Sequence, residues 1–562
     1  MSGPLRGPVL GLLACLTLIV PLRVQGDTPP KAAIASAHPL ATEAGMAILA
    51  SGGNAFDAAV AVSAVLAVVE PYGSGLGGGG FWLLHRAADG LQVMVDGRER
   101  APLAAHRDLY LTADGEFAQE LALNGPLAAA IPGTPAALCH LAERYGRLGL
   151  GVTLASAIRT AREGFAVDAR YRQRAEWRLE VLRASAAAAR QFLVDAQVPP
   201  LGHRLTQPDL AATLERIAEH GCAAFYQGPF AARMVRGVRE AGGIWTLEDL
   251  SQYAVVERKP IQGDYQGWRL VSAPPPSAGG VLLVEMLNML SALPQEQRGA
   301  APSAHLLTEV MRRAYRDRAA YLGDPDAVQM PLARLTDADY AAGLIRDFDP
   351  QRATPSRHEA KDCETGRSEG QDTTHFSILD RAGNRVAATL SINYPFGSGF
   401  VPPGTGVLLN DEMDDFSAQP GVPNAYGLVG GEANAIAPGK RMLSSMSPSF
   451  LESEDGVAIL GTPGGSRIIT MVLQAILAAV DQAQVSEWVG RPRIHHQYQP
   501  DRLQAEPGAL TPAEQDALRA LGHRLDLLDR PYGNMQAVFW DRRTGQVEAA
   551  SDPRGIGSAQ VQ

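Results

Sequence analysis

Cysteine, lysine and glycosylation signals are scarce in this chain. Its 562 residues include only 4 Cys, which excludes a small fold held together by disulfides. Only four of the 50 basic residues are Lys, and no Lys/Arg cluster is present. With a formal net charge of −10, the chain is not expected to bind nucleic acid. No Asn-x-Ser/Thr sequon occurs, so nothing indicates a glycosylated surface.

Long apolar runs are missing as well. The longest are Val9–Val20 and Ala58–Val69, whereas a transmembrane helix needs about 20 apolar residues. The first run follows Arg6 and precedes small residues near Gly26, a pattern that predicts an export signal over residues 1–26. We therefore expect a bacterial protein that is periplasmic or secreted, with no membrane attachment once the signal is removed.

The composition provides ample material for a folded core. Hydrophobic residues make up 46% of the chain and charged residues 20%, which excludes intrinsic disorder. Length alone predicts about three to four domains. Without residues 1–26 the chain keeps Cys139, Cys222 and Cys363, and this odd number leaves their pairing open.

The first third of the chain shows clear helix and strand patterns. Residues 40–71 predict two helices, the second capped by Asn54 and buried because it is apolar on all sides. Short apolar runs at Phe81–Leu84 and Leu91–Val95 predict a β-hairpin. Residues 130–345 are mostly helical in pattern.

A polar segment separates this helical part from a region of strands. Residues 348–372 hold several Pro, Gly and charged residues and almost no apolar residue, which predicts a mobile, solvated segment. Residues 373–380 and 385–392 then flank a turn at 381–384. This pattern predicts a second β-hairpin.

Pairing within the second hairpin brings polar side chains together. A turn centred near Ala382 places Thr373 across from Ser391, with Asn393 just beyond. A hydroxyl at the start of a strand thus meets a second hydroxyl and an amide. The sequence therefore predicts a small polar cluster at this end of the hairpin.

Several long motifs stand in a characteristic order along the chain. They are GGNAFDAAVAV (52–62), DGRERAP (96–102), QDTTH (371–375), LNDEMDDFS (409–417), PGVPNAYGLVGG (420–431), KRMLSSMSP (440–448) and GTPGGSRIIT (461–470). Together they resemble the γ-glutamyltransferase (glutathione hydrolase) family of N-terminal-nucleophile hydrolases, over about residues 33–555.

The resemblance implies an α+β fold, a four-layer αββα sandwich formed by two chains cut from one precursor. Residues 27–372 would form the large subunit and residues 373–562 the small subunit. Motifs in both parts converge on one site in this family. The resemblance therefore predicts one folded unit made of two chains, in place of the several independent domains predicted from length.

The resemblance also implies how the nucleophile forms. The precursor would cut itself between Asp372 and Thr373, which gives Thr373 a free α-amino group. Such an amine has a pKa of about 7.7–8.0, so it can serve as general base toward its own hydroxyl. The family pattern assigns the oxyanion hole to the glycine turn at Gly464 and Gly465, and it requires no cofactor and no metal.

A γ-glutamyl substrate carries an α-ammonium and an α-carboxylate beside the scissile amide. The ammonium needs carboxylate or amide acceptors, and the carboxylate needs guanidinium and hydroxyl donors. The family pattern assigns the ammonium to Asn393, Glu412 and Asp415. It assigns the carboxylate to Arg98, Ser444 and Ser445.

Three positions add detail to this implied pocket. Ser391 stands where family members commonly have Thr, and it keeps the hydroxyl. Glu412 stands where they carry either Gln or Glu, so this pocket has one extra negative charge. Tyr426 lies in the loop 420–431, which covers the bound glutamyl group in related bacterial enzymes.

Three other signals receive structural interpretations. Gly73–Gly78 matches G-x-G-x-x-G but follows a helix and precedes a strand, the reverse of a dinucleotide site. It predicts a tight structural loop near the cleft. His375 shares a strand face with Thr373, yet a structural role is favoured. His495 and His496 are adjacent and face opposite sides of a strand, which argues against a zinc site.

The leading hypothesis is a self-processing γ-glutamyl hydrolase and transferase. Its donor would be glutathione or another γ-glutamyl compound, and its acceptor water, an amino acid or a dipeptide. An acylase of the same fold that cleaves glutaryl-cephalosporins is the alternative. A glutaryl group has no α-amine, which would leave Glu412 and Asp415 unpaired. A third hypothesis is an unprocessed, inactive protein that binds amino acids or peptides.

Overall fold

Two antiparallel sheets form the centre of the structure, a computed structural model that describes Gly3 and residues 28–298, 303–356 and 373–562. Asp372, Cys363 and the predicted export signal, apart from Gly3, lie outside the described residues. The strands are β1 (Ala33–Ser36), β2 (Gly79–Arg86), β3 (Leu91–Gly97), β4 (Phe165–Ala166), β5 (Arg204–Leu205), β6 (Val256–Arg258), β7 (Ile261–Tyr265), β8 (Trp268–Ser272), β9 (Thr373–Leu379), β10 (Arg385–Ser391), β11 (Ser449–Glu452), β12 (Gly456–Gly461), β13 (Ile494–His495), β14 (Leu503–Ala505), β15 (Leu525–Leu527), β16 (Gln536–Asp541), β17 (Val547–Ser551) and β18 (Ser558–Val561).

The helices cover the outer faces of these sheets. They are α1 (Pro39–Ala50), α2 (Ala55–Val69), α3 (Gln119–Leu123), α4 (Thr134–Arg144), α5 (Leu150–Thr153), α6 (Ala155–Glu163), α7 (Ala169–Trp177), α8 (Leu179–Ala184), α9 (Ala186–Phe192), α10 (Pro208–His220), α11 (Ala223–Tyr226), α12 (Gly228–Glu240), α13 (Leu247–Ser251), α14 (Gly279–Ala292), α15 (Gln295–Arg298), α16 (Ala304–Tyr321), α17 (Leu332–Leu335), α18 (Ala338–Ile345), α19 (Ile468–Val480), α20 (Val485–Gly490) and α21 (Pro512–Ala520). Short 3-10 turns lie at Pro126–Ala128, Glu412–Asp415, Glu432–Asn434 and Gly465–Arg467. In the part of the chain that the structure describes, no helix combines the length and the apolar character needed to cross a membrane.

Four layers result from the way these elements pack. The first sheet has the order β18-β1-β9-β10-β2-β3-β6, and the second β17-β16-β12-β11-β8-β7. Helices α1, α2 and α4 pack on the first sheet, α14, α19 and α20 pack on the second, and the two sheets face one another. The prediction of an αββα sandwich is confirmed.

The alternation of side chains along β9 explains the two cores. Phe376 and Ile378 belong to the core beneath α2, whereas Leu379 belongs to the core shared with the second sheet. Successive residues of a strand point to opposite faces. Thr373 and His375 therefore share the face toward the second sheet, and Thr374 faces α2.

Both predicted hairpins and the predicted helix pair are confirmed. Strands β2 and β3 pair antiparallel, as do β9 and β10. Helix α2 is buried along its whole length, and Asn54 caps it in a reciprocal capping box with Asp57. Strands β6, β7 and β8, over Val256–Ser272, were missed by the mostly helical prediction for residues 130–345. They are short and partly exposed, so no long apolar alternation marks them.

The predicted mobile segment 348–372 is held in place over its first part. Ala353 N donates to Leu521 O at 2.7 Å, and Ser356 N donates to the Asp501 carboxylate at 2.8 Å. These bonds correct the prediction for residues up to 356, because residues distant in sequence supply contacts that the segment itself lacks. Residues 357–372 lie outside the described part of the chain.

One disulfide joins two helical regions. Cys139 of α4 and Cys222, which precedes α11, are bonded with an S–S distance of 1.97 Å. Two of the three cysteines that follow the predicted export signal are therefore bonded to each other. The third, Cys363, lies outside the described residues.

Candidate active site

The start of β9 holds the predicted nucleophile beside a second hydroxyl. Thr373 pairs directly with Ser391 of β10, and their hydroxyl oxygens are 3.1 Å apart. Thr373 is 8% exposed, so the hydroxyl pair is almost closed off from solvent. The cross-strand position predicted from the hairpin is confirmed.

Asn393, the second residue after β10, orients this hydroxyl pair. Asn393 N donates to Ser391 Oγ at 2.8 Å, so Ser391 can direct its own proton toward Thr373 Oγ1. Asn393 has a φ of 72°, a left-handed conformation that Asn tolerates better than most residues. Its side-chain amide donates to Asp411 O at 3.1 Å. The strained turn thus places Asn393 at the edge of the predicted ammonium site.

A buried arginine lies at the end of β3. The Arg98 guanidinium donates to the Glu412 carboxylate at 2.5 Å and to the Asp415 carboxylate at 2.5 Å. Arg98 is 1% exposed. Burial alone would lower the pKa of Arg98, but the Glu412 and Asp415 carboxylates raise it. Arg98, which is predicted to bind the substrate carboxylate, is therefore paired with Glu412 and Asp415, which are predicted to bind the substrate ammonium.

The two acids lie on one 3-10 turn, Glu412–Asp415. Burial raises the pKa of Glu412 to about 7, and the Arg98 guanidinium opposes this shift. Glu412 Oε1 is buried and makes no hydrogen bond to any residue in the described ranges. An unsatisfied buried carboxylate oxygen costs free energy, so it favours a ligand that donates hydrogen bonds.

The predicted serine pair, Ser444 and Ser445, lines the same pocket as Thr373 and Arg98. Ser444 is held by backbone hydrogen bonds, because its N donates to Pro276 O at 2.7 Å and its O accepts from Ala278 N at 2.8 Å. Ser444 and Ser445 are 2% and 7% exposed. Their chain position is therefore well defined even though no regular strand includes them.

The glycine turn follows β12 and precedes α19. Gly464 and Gly465 have φ values of 151° and 55°, and both values favour glycine. The Tyr426 ring lies against Gly465, and its hydroxyl donates to Asn393 O at 2.8 Å. Tyr426 thus covers the predicted oxyanion-hole turn, whose role stays a prediction.

Replacing Gly465 with alanine is expected to lower kcat about 10²-fold, in the range measured for damaged oxyanion holes. The new Cβ would meet Tyr426 Cδ1 at 2.5 Å, at a φ of 55° that strains any other residue. Steady-state kinetics on a γ-glutamyl anilide test this. Alanine at Gly508, which has a similar positive φ but open space around it, is the matched control. An equal loss of kcat in both variants would contradict a local role for Gly465.

One pocket collects these groups. Its lining includes ten predicted residues, namely Arg98, Thr373, Ser391, Asn393, Glu412, Asp415, Tyr426, Ser444, Ser445 and Gly465. Gly464 is not part of the lining, and Asp372 lies outside the described residues. The sequence interpretation missed Leu428, Met446, Ser466 and Ile468. All four lie within the quoted motifs, so their position in the motifs was the available signal.

The glycine loop at 73–78 lies beside this pocket. A Cβ on Gly73 would lie 3.5 Å from Thr373 O, and one on Gly78 would collide with Ser391 O. Gly77 O accepts from the Asn410 side chain at 2.7 Å. The loop therefore packs against the backbone of both hairpin strands, as predicted for a structural loop near the cleft.

His375 has structural partners on its own sheet. Its ring nitrogens lie 2.8 Å from Thr389 Oγ1 and 3.2 Å from Ser377 Oγ. Burial lowers the pKa of His375 to about 3. The imidazole is therefore neutral at working pH and engaged on both nitrogens.

Replacing His375 with asparagine is expected to cost about 1–3 kcal/mol of folding free energy, because Thr389 and Ser377 lose their buried partner. The apparent pKa values in the pH profile of kcat/KM should stay those of the wild type between pH 6 and 9. Urea unfolding and the pH profile check the two parts. A shift in either apparent pKa of this profile would instead show that His375 takes part in proton transfer.

The histidine pair at 495–496 and a second histidine cluster are both poorly suited to bind a metal ion. His495 contacts Thr470 Oγ1 at 2.9 Å and Gln497 Oε1 at 2.8 Å, so both ring nitrogens are engaged. Elsewhere in the described ranges His305, Glu309 and His523 have ligand spacing. Arg312 lies 3.5 Å from both Glu309 and His523. The positive charge of the Arg312 guanidinium, so close to the cluster, disfavours binding of a metal cation there.

Comparisons with known proteins decide the family. The family profile of gamma-glutamyltranspeptidase matches residues 41–562. The chain belongs to the gamma-glutamyltranspeptidase family. A glutathione hydrolase proenzyme of Escherichia coli (strain K12) is 41% identical over 529 residues, which are 93% of this chain and 90% of that protein. Family membership makes the chain an enzyme of the transferase and hydrolase type.

Solved structures agree with the fold of this gamma-glutamyltranspeptidase family member. A cephalosporin acylase from Bacillus halodurans aligns with a TM-score of 0.81 and 26% identity, over 100% of this chain and 99% of that chain. The gamma-glutamyltranspeptidase of Helicobacter pylori aligns with a TM-score of 0.55 and 35% identity, over 59% of this chain and 97% of that chain. The expected N-terminal-nucleophile hydrolase fold is thus confirmed.

Proposed function

We propose that this protein is a self-processing γ-glutamyl hydrolase and transferase whose donor is glutathione or a related γ-glutamyl compound. One observation carries the proposal. The pocket that holds the Thr373 hydroxyl also holds a buried cation, Arg98, between two carboxylates, Glu412 and Asp415. A cation beside anions matches the α-carboxylate and α-ammonium of a glutamyl group.

Processing would divide the chain between Asp372 and Thr373. The products would be a large subunit of residues 27–372 and a small subunit of residues 373–562, assembled as a heterodimer. Strands β1 and β9 are neighbours in the first sheet, so the two subunits would remain in one core after the cut. The proenzyme name of the Escherichia coli relative supports this maturation.

The free amine of Thr373 would act as general base. It takes the proton of the Thr373 hydroxyl as Oγ1 attacks the γ-carbonyl carbon, and it gives that proton to the leaving amine. The Ser391 hydroxyl lies 3.1 Å from Oγ1 and would donate to it, and the backbone amides of Gly464 and Gly465 would stabilise the oxyanion. Glutathione would release cysteinylglycine and leave a γ-glutamyl ester on Thr373.

Water or an acceptor amine completes the reaction. Attack on the ester gives glutamate when water is the nucleophile, and a new γ-glutamyl amide when an amino acid or dipeptide is. The Tyr426 ring lies against Gly465 and lines the pocket that holds Thr373, so its loop is placed to limit access to the ester. We propose that closure of the loop 420–431 sets the share of hydrolysis against transfer.

The paired charges also favour a glutamyl over a glutaryl group. A substrate carboxylate that binds Arg98 competes with Glu412 and Asp415, which hold the guanidinium in the structure. An α-ammonium can then replace the guanidinium as partner of the displaced acid. A glutaryl group brings the carboxylate alone and leaves a buried acid unpaired, at a cost in binding free energy. The likeness to a cephalosporin acylase keeps that activity as the second candidate.

Export is part of the proposed function. Residues 1–26 would direct the precursor out of the cytoplasm, and the bond between Cys139 and Cys222 suits an oxidising compartment. We propose a periplasmic or secreted enzyme that meets extracellular γ-glutamyl compounds.

A gel and two substrates test the proposal. The purified protein should give two bands on a denaturing gel and should hydrolyse a γ-glutamyl anilide faster than the matching glutaryl anilide. A cut protein that prefers the glutaryl anilide would establish the acylase instead. A single uncut band without turnover of either compound would leave the third hypothesis, a binding protein.

A further inference from the structure

A second buried guanidinium lies behind the pocket. Arg318 is on α16 and is 5% exposed. Its Nη2 donates to Ser445 Oγ over 3.4 Å, and its Nε makes no hydrogen bond within the described residues. A guanidinium carries five N–H donors, so Arg318 is a buried cation with few of its donors satisfied.

The charge of Arg318 is coupled to the charged groups of the pocket. Burial lowers the pKa of Arg318, the Asp415 carboxylate opposes this shift, and the Arg98 guanidinium adds to it. The side chain stays protonated, since arginine is not deprotonated in proteins. Tyr315, one turn earlier on α16, donates to Ser466 O. Helix α16 is therefore fixed to both sides of the pocket.

A count of charges shows what Arg318 contributes. Glu99 also lies beside Arg98, but burial raises the pKa of Glu99 and of Asp414, so neither is counted as charged. When Glu412 and Asp415 are ionised, they balance the charge of Arg98 and one further positive charge. Arg318 supplies that charge, so the pocket is neutral toward a zwitterionic glutamyl group. Without Arg318 the pocket would hold one net negative charge, which attracts an α-ammonium and repels an α-carboxylate.

We propose that Arg318 is a positioning residue that selects substrates with an α-carboxylate, acting through the hydroxyl of Ser445. Because Ser445 Oγ accepts from Arg318, the hydroxyl proton of Ser445 is free to point into the pocket toward a substrate carboxylate. The proposal rests on the proposed function, which places the α-carboxylate at the serine pair.

Two anilides that differ only in the carboxylate test this role. They are γ-glutamyl anilide and 4-aminobutyryl anilide, which lacks the α-carboxylate. Arg318→Met should raise KM for the γ-glutamyl anilide about 10- to 100-fold, the range for one charged hydrogen bond. Its kcat should change less than KM. The kcat/KM for the 4-aminobutyryl anilide should be unchanged or higher, because the pocket has become more negative.

Two further variants make the result specific. Arg318→Lys keeps the positive charge and should retain most of the preference for the γ-glutamyl anilide. Arg316→Met removes an arginine from the same helix that pairs with Asp317, and it should leave the preference unchanged. Equal losses on both anilides in Arg318→Met would overturn the proposal, as would an unchanged KM. Complete loss of preference in a folded Arg318→Lys enzyme would also overturn it.

Folding and function are measured separately. A denaturing gel and thermal unfolding report whether each variant is processed and folded. If Arg318→Met does not fold, Arg318→Gln, which removes the charge but keeps hydrogen-bond donors, takes its place and should lose most of the preference for the γ-glutamyl anilide. The wild-type rate on the γ-glutamyl anilide tests the proposed function independently. If the wild type and Arg318→Lys bind glutamate more tightly than 4-aminobutyrate by calorimetry and a charge-removing Arg318 variant loses this difference, the inference is supported even without turnover.

Discussion

Thr373→Ala is expected to leave a single uncut chain with no detectable turnover. The Thr373 hydroxyl is the proposed attacking atom both in self-cleavage and in the transfer reaction, and no other hydroxyl of the pocket occupies the start of β9. Removing a catalytic nucleophile lowers kcat by about 10⁶-fold in well-studied hydrolases. A denaturing gel, the intact mass and an anilide assay measure the two effects.

Two neighbouring variants serve as controls for Thr373→Ala. Thr373→Ser keeps a hydroxyl at the same atom and should be cut and active. Thr374→Ala changes the next residue, whose hydroxyl donates to Glu70 at 2.6 Å on the opposite face of the strand, and it should be cut as well. Normal processing of Thr373→Ala would show that the nucleophile has been misassigned.

Arg98→Gln is expected to lower kcat/KM for a γ-glutamyl anilide by about 10³-fold or more. The substitution removes the proposed carboxylate partner and leaves Glu412 and Asp415 without their buried counter-ion. Breaking a buried ion pair costs about 3–5 kcal/mol, so the free energy of unfolding should fall as well. Steady-state kinetics and urea unfolding of the processed enzyme give both values.

A second substitution separates charge from packing in this site. The double variant Arg98→Gln/Glu412→Gln removes one of the acids that Arg98→Gln leaves unpaired, so it should regain part of the lost stability. Arg100→Gln, two residues away, removes a guanidinium that bonds to Gly439 O rather than to a carboxylate, and it should have a much smaller effect. No loss of kcat/KM in Arg98→Gln would remove Arg98 from substrate recognition.

Local patterns predicted the hairpin that carries Thr373, the proposed nucleophile. Strands β9 and β10 alternate in sequence around a short turn, and a short turn leaves little freedom in the register. Thr373 therefore had to face Ser391, as it does. The capping of α2 by Asn54 was predictable for the same reason, because its partners lie within one helical turn.

Local patterns could not predict contacts between segments that are distant in sequence. Arg98 and Glu412 are 314 residues apart in sequence, and the motifs that contain them carry no sign that they bond to each other. Arg318 is one of four arginines on α16, and nothing in the sequence distinguishes it from the others, so its contact with Ser445 could not be predicted. The anchoring of Ser356 by Asp501 escaped detection because the segment itself is polar.

The sequence by itself determined the family, through its long motifs, and the hairpin that places Thr373 opposite Ser391, through local periodicity. The motifs also contain most of the residues that line the pocket. Only the tertiary structure decided that Arg98 is paired with Glu412 and Asp415 and that Arg318 lies behind Ser445. The electrostatics of a pocket depend on which charges are buried together. That arrangement arises only when the two sheets and α16 pack around one site.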